Sequence, residues 1–519
     1  MGKLARNYIY NIIYQILVLV APIVTAPYLA RVLGAELLGT ANYVVTVSGV
    51  FTTIGLLGMQ NYAIREIAYV KKDKSALEKC FYELSATRMI LLLLTTLLYV
   101  GYIYISKYPQ LMWIQIMYVI AVFVDPCWFY IGMEDMGKAV ARNFFAKVAN
   151  IIGIFILVKT QQDYIKYVFL LSFMTFLASI LAVPHLWSYF DIRPSKVSLH
   201  AIRKHLKGSL ELFWPQVATM IYLSVDKIML EHFVSSSAVA FYDQAEKIVK
   251  IPLAFITVLS TVMMPRLASQ FADDNTVQVK RYLSQTILFS SMLAFPMMFG
   301  IAGIAASLIP WYLGPEFIPV AQAIWVLSPI VVLCSLVGIS GDQYLVATNQ
   351  THVMTISYFV AAIANVLVDA MLIPQYGIVG AAIGTIVAYG ISLIVQYKVL
   401  LKNIDLKGAM FKSGRYFLKA IPMFVVVAVM DLKMPATWTT TILQSGIGTV
   451  VYGMTLIFCK DEMLAMLLKK LQLLVLHEKS LMTNIYLVKR IFKASGYTPN
   501  RTLISKIFKD LSCLQRTAA

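Results

Sequence analysis

Apolar runs of about twenty residues recur along this chain, from just after its first residues to about residue 458, separated by short polar links. A run of that length is what an α-helix needs to cross a ~30 Å hydrocarbon core, so most of the 519 residues are expected in a bilayer. Strands are not expected. Lipid offers no partner to an open sheet edge, and no ten-residue alternation of the barrel type occurs. The reading is an all-α integral membrane protein, and with 59% hydrophobic and 13% charged residues no sizeable soluble domain is left over.

About fourteen spans are expected, arranged as two pseudo-symmetric six-helix lobes and two extra C-terminal helices. Residues 1–190 hold spans one to six, 205–400 hold spans seven to twelve, 415–460 hold the last two, and 461–519 form a tail. A basic link, Asp191 to Lys207, separates the lobes, and a shorter link without a basic residue, Ser340 to Thr351, follows the tenth span. The repeat shows in two hairpins. Arg31, Tyr43 and the Ile64-Arg65-Glu66 end of the second span correspond to Lys227, Tyr242 and the Pro265-Arg266-Leu267 end of the eighth. An even number of helices between copies keeps their direction through the membrane the same, which places an axis along the membrane normal.

Net charge is +18, which in a soluble protein would suggest nucleic acid. Here the basic residues concentrate in the links, where they report topology, and no nucleic-acid partner is expected. Only Arg31, Lys107, Lys159, Lys166 and Lys433 fall on the expected outer side, so both termini are read as cytoplasmic in a multi-pass cell-membrane protein. The basic start, Met1 to Arg6, precedes a retained first helix rather than a cleaved signal. Five scattered cysteines form no CxxC pair and six histidines no ligand spacing, so neither a metal site nor a cofactor is expected.

The charges inside spans are the anomaly. In the hairpin from Phe213 to Pro265, Asp226 and Lys227 lie in a helix expected from Trp214 to Phe233, and Asp243, Glu246, Lys247 and Lys250 lie on one stripe of the next. At a bilayer centre each such group costs roughly 2.5–3.5 kcal/mol, so they face a cavity or one another. Two readings stand. Either the four residues of the stripe neutralise each other as glue inside the bundle, or Lys247 or Lys250 meets an anionic headgroup. Lys227 could reach Glu231 one turn on, leaving Asp226 as a cation or proton site or as half of an interhelical salt bridge.

In the first lobe Arg31, Arg65, Arg88, Arg142 and Lys147 accompany Asp125, which precedes Pro126 in the fourth span. Taken singly, Arg65 and Arg142 read as interfacial anchors, and Arg88 and Lys147 as cations that snorkel to the surface. Together they exceed what topology requires, and an arginine fork suits a phosphate. Asp125 joins Asp226 as a candidate for ion coupling. Asn365 and Asp369 lie four apart, with Asp369 near a helix end where it could cap. The tail, with Leu464–Leu476 and ten lysines or arginines, among them Lys469, Lys470, Lys489, Arg490, Lys493, Lys506 and Lys509, reads as basic amphipathic helices on anionic lipid.

Four segments carry a resemblance. They are Ala26-Pro27-Tyr28-Leu29-Ala30-Arg31-Val32-Leu33-Gly34, Asp125-Pro126-Cys127-Trp128-Phe129-Tyr130-Ile131-Gly132-Met133-Glu134, Trp214-Pro215-Gln216 with Ser224-Val225-Asp226-Lys227, and Leu372-Ile373-Pro374-Gln375-Tyr376-Gly377-Ile378-Val379-Gly380-Ala381-Ala382. In their order the chain resembles the Wzx-type polysaccharide flippases of the multidrug/oligosaccharidyl-lipid/polysaccharide exporter superfamily, over about residues 5 to 460. The resemblance implies two lobes around a cationic cavity and transport, by alternating access, of undecaprenyl-diphosphate-linked oligosaccharide for capsule, exopolysaccharide or O-antigen-type polysaccharide. It also admits other polysaccharide-assembly proteins as partners. The long tail departs from the family pattern. Rival readings are a lipid II flippase or a drug/sodium antiporter on the same fold, and, less well supported, a membrane polymerase or glycosyltransferase. Short outer loops and the lack of a DxD motif argue for a carrier and against an enzyme.

Overall fold

The chain is helical wherever apolar side chains can face lipid on one side and small or polar ones can face other helices. The computed structural model describes residues 3–189, 197–272, 276–469 and 472. Among the described residues these α-helices follow in order: α1 (Lys3–Gly55), α2 (Met59–Val70), α3 (Lys74–Ile105), α4 (Pro109–Val124), α5 (Cys127–Gly132), α6 (Met136–Leu157), α7 (Tyr164–Ala182), α8 (Leu199–Phe233), α9 (Ser236–Ala272), α10 (Thr276–Tyr312), α11 (Pro319–Leu327), α12 (Ile330–Gly338), α13 (Thr351–Tyr376), α14 (Ile378–Asn403), α15 (Lys407–Lys433) and α16 (Trp438–Phe458). A π-helical stretch, Ile339–Leu345, prolongs α12 through the start of the link expected to begin at Ser340. Among the described residues no strand occurs.

Polarity is inverted relative to a water-soluble helix. On α13 Ile363, Leu367 and Met371 recur every fourth residue on the exposed face, while Ala361, Asn365, Asp369 and Ile373 are buried. The exposed stripe is the lipid-facing one, and the buried stripe packs on α8 and α14. Eight helices among the described residues are long and apolar enough to cross a membrane, or nine if the bent pair α11–α12 counts as one span. The helices α6, α8 and α15, of 22, 35 and 27 residues, are outside that group. At 1.5 Å per residue each is nonetheless as long as a ~30 Å core.

Breaks fall where the sequence removes a hydrogen bond or relaxes φ. The first two expected spans lie on either side of a kink inside α1 at Gly34, whose backbone (φ 75°, ψ 175°) is non-helical, a conformation a β-carbon disfavours. Pro126 ends α4, whose last residues leave carbonyls free for other donors. The link expected from Asp191 to Lys207 is shorter than that, because Ser198 caps α8 by accepting the Ala201 N–H and the helix runs on through the basic residues.

Residues through Tyr452 form one compact unit and Gly453–Ala519 a second. In the first, α1 packs along α9 so closely that a β-carbon on Gly39 would lie 1.7 Å from the Ser236 carbonyl oxygen. α8 is joined to the first half of the chain at both ends. Near its start His205, buried between helices, meets the Tyr62 hydroxyl (3.1 Å) and a Glu83 carboxylate oxygen (3.1 Å). Near its end Glu231 accepts from Lys107 (3.0 Å) and Tyr108 (2.7 Å). α15 lies along α10. In the second unit α16 ends at Phe458, and Asp461 caps a further turn by accepting the Met463 and Leu464 N–H groups. Apart from residue 472, the tail from residue 470 onward lies outside the described residues, as does the Arg266 side chain.

Candidate functional site

The charged hairpin resolves into one network. Lys227 Nζ on α8 stands 2.8 Å from Asp243 and 2.9 Å from Glu246 on α9. One turn along α9, Lys247 reaches Asp243 and Lys250 reaches Glu246, each at 2.5 Å. Asn42 of α1 donates to the other face of Asp243 at 3.0 Å. Three lysines thus share two carboxylates, leaving one positive charge in excess. Lys227 is enclosed, with 12% of its side chain exposed, whereas Lys247 and Lys250 are 41% and 44% exposed. Lys227 does not turn back to Glu231, because that carboxylate already belongs to Lys107 and Tyr108.

In the first half of the chain a cavity of about 340 Å³ lies among α1, α4, α6 and α7. Its polar wall is Gln115, Asp125, Arg142, Asn143, Lys147 and Asn150. Arg142 holds Asp125 at 2.6 Å, and Asp125 also accepts the Cys127 N–H across the Pro126 break. Gln115 Nε2 and Asn150 Oδ1 are buried with no hydrogen-bond partner. Lys147, on the wall of this cavity, makes no ion pair or hydrogen bond among the described residues. An ammonium group without a carboxylate of its own, in a cavity that an arginine also lines, suits an anion.

Asp226 has no salt bridge among the described residues. Its carboxylate accepts the Lys227 N–H and lies near the Thr385 hydroxyl, which itself pairs with Tyr242 at 2.6 Å. Asp369 approaches from α13, near enough for the two carboxylates to repel. Asp369 is fully buried inside its helix rather than capping an end, on the same face as Asn365, and makes no ion pair among the described residues. Two acids and an amide in an enclosed space fit a small cation.

The remaining arginines are not brought to this cluster. Arg88 is 1% exposed and gives its fork to the Phe123 and Val122 carbonyls and to Gln60, with its guanidinium over Trp128. It is sealed inside the bundle rather than snorkelling. Arg65 lies over the Tyr62 ring beside Glu66, and Arg31 donates to the Trp311 carbonyl. The sequence reading missed the convergence of Asp226 with Asn365 and Asp369. The available signal was their i,i+4 spacing on an apolar helix, which puts both on one buried face.

The matching family model is that of polysaccharide biosynthesis proteins, over residues 4–271. The chain belongs to that family. As the resemblance to Wzx-type flippases implies, the relatives of this polysaccharide biosynthesis family member are transporters and flippases. A putative O-antigen transporter of Escherichia coli K12 is 22% identical over 391 residues, 73% of this chain and 92% of that one. A probable low-salt glycan biosynthesis flippase of Haloferax volcanii is 22% identical over 53% of this chain and 57% of its own length. Among solved structures, the lipid II flippase MurJ in an inward closed conformation superposes with TM-score 0.67 at 15% identity, covering 88% of this chain and 99% of that one. An inward-facing multidrug MATE transporter gives 0.59 at 14%, covering 80% and 99%. These place the fold among the multidrug/oligosaccharidyl-lipid/polysaccharide exporters, and the chain is a multi-pass membrane protein of the polysaccharide biosynthesis family.

Proposed function

We propose that this protein is a flippase, not an enzyme, that carries an undecaprenyl-diphosphate-linked oligosaccharide from the inner to the outer leaflet of the cell membrane by alternating access between two six-helix lobes. The observation that supports the reading is Lys147, without an ion pair among the described residues, on the wall of the cavity that Arg142 also lines. A diphosphate held there gives Lys147 a counter-charge, with Arg142 beside it and Lys247 and Lys250 of α9 adding positive charge. Polyprenyl stays in lipid and no covalent step is needed. Asp226, with Asp369 and Asn365, holds the coupling cation, and Asp125 keeps Arg142 in place. Both termini are cytoplasmic, and the tail rests on anionic lipid close to other polysaccharide-assembly proteins. The product is a capsule, exopolysaccharide or O-antigen-type polymer.

The test is loss of the protein in its own cell, followed by analysis of lipid-linked intermediates. Complete repeat units stranded on the inner leaflet are the expected result. Incomplete units would point to a glycosyltransferase, and accumulation of lipid II to a cell-wall role.

A further inference from the structure

A second cavity, of about 120 Å³, lies among α8, α12, α13 and α14 and differs in chemistry from the cationic one. Three tyrosines wall it. Tyr222 is tilted against Tyr358 with ring centroids 6.1 Å apart and stands edge-on to Tyr389 at 5.7 Å. The π-helical stretch Ile339–Leu345 turns Asp342 into the same space. Extra-residue turns of this kind re-aim a side chain and recur at functional sites. Asp342 makes no ion pair and no side-chain hydrogen bond among the described residues, though it stands on a helix of a membrane bundle, where an unpaired acid is costly. α9, which carries Lys247 and Lys250, packs against α12, α14 and the π-helical stretch that line the cavity, so the lysines assigned above to the diphosphate stand on a neighbouring helix.

We infer that this cavity is a sugar subsite, which takes the ring of the glycan unit attached directly to the diphosphate, with the tyrosines against its C–H face and Asp342 accepting its hydroxyls. The inference rests on the proposed function, since the sugar is joined to the diphosphate that Lys247 and Lys250 of the adjoining α9 are proposed to hold. Aromatic walls with a few convergent polar groups are the usual build of a small-molecule site. A carboxylate receiving hydroxyl hydrogen bonds gives the stronger, charge-assisted kind. The subsite makes the carrier read its cargo at the first sugar as well as at the phosphate.

Cys334 lines the cavity and serves as the reporter. Full-length protein in lipid nanodiscs is alkylated with N-ethylmaleimide, and Cys334 labelling is followed by peptide mass spectrometry. The probes are undecaprenyl diphosphate and the same lipid carrying a single glucose, galactose or N-acetylglucosamine. Native mass spectrometry of each sample counts bound lipid. At least one glycosylated lipid is expected to slow Cys334 labelling severalfold beyond the glycan-free lipid. Asp342→Leu is expected to weaken binding of that glycolipid about tenfold, the loss of one charge-assisted bond, and to leave the glycan-free lipid unaffected. Tyr358→Ala should act alike and Tyr358→Phe should not. Bound lipid with no added protection from any sugar overturns the subsite while the flippase reading stands. Failure of the glycan-free lipid to bind overturns the diphosphate reading itself. Protection by sodium or choline chloride alone makes the cavity a cation site and also overturns the inference.

Discussion

Lys227 Nζ sits between Asp243 and Glu246, 2.8 Å from one and 2.9 Å from the other, and so joins α8 to α9. Of the three lysines in this network it is the enclosed one, and its removal leaves two buried carboxylates sharing less charge. Breaking a buried pair from one side costs roughly 3–5 kcal/mol. Lys227→Ala should therefore lower the protein's level in the membrane and its Tm, whereas Lys250→Ala should not. Membrane abundance and thermal unfolding of the two variants in detergent separate these outcomes.

Lys147 has the opposite character. Because it has no ion pair among the described residues, Lys147→Gln breaks none and should leave stability equal or higher. Binding of undecaprenyl diphosphate should fall about tenfold or more, the worth of one hydrogen bond to a charged group. Surface polysaccharide in cells carrying the variant is the direct readout, and undiminished polymer would remove Lys147 from the path.

Asp369 is a buried acid with no ion pair among the described residues. Asp369→Asn should therefore not lower Tm, while lipid-linked glycan transport into proteoliposomes should lose its dependence on an imposed sodium or proton gradient. Transport that keeps full gradient dependence would take Asp369 out of the coupling site.

The turn before α7 supplies a pH dependence. Lys166, together with the Lys159 and Thr160 N–H groups, holds the Asp163 carboxyl well below the ordinary value of 3.8. A depressed folded value means the stabilisation is complete above the unfolded value and is lost as pH falls through the folded one. Asp163→Asn should thus reduce Tm at neutral pH, and the gap from the native protein should shrink once pH drops below 3.8.

Gly39 marks the closest approach of α1 to α9. A methyl group there meets the Ser236 carbonyl, so Gly39→Ala should force the helices apart at that end. Accessibility of cysteines placed near residue 39 to a membrane-impermeant thiol reagent should rise relative to the native spacing.

The spans were legible because lipid imposes one length and one polarity on every helix that crosses it. The stripe on α9 was legible for a similar reason, since i,i+4 spacing alone brings Lys247 to Asp243 and Lys250 to Glu246. What a helical period does not encode is a choice between partners on different helices. Glu231 stands one turn from Lys227, yet Lys107 and Tyr108 arrive from a distant loop and take it. Arg88 reads as a residue that could snorkel until the broken end of α4 presents the Val122 and Phe123 carbonyls to it. Asp226 meets Asp369 only because α8 packs against α13.

One consequence follows from the length of α8. At 35 residues it is about 52 Å long, and it is fastened to the first half of the chain by His205 near one end and by Glu231 near the other. A rod pinned at both ends behaves as a strut and not as an arm. It can swing only about whichever pin still holds, so release at His205 makes Glu231 the fulcrum, and release at Glu231 makes His205 the fulcrum. Pro215, between the pins, is where such a strut bends first.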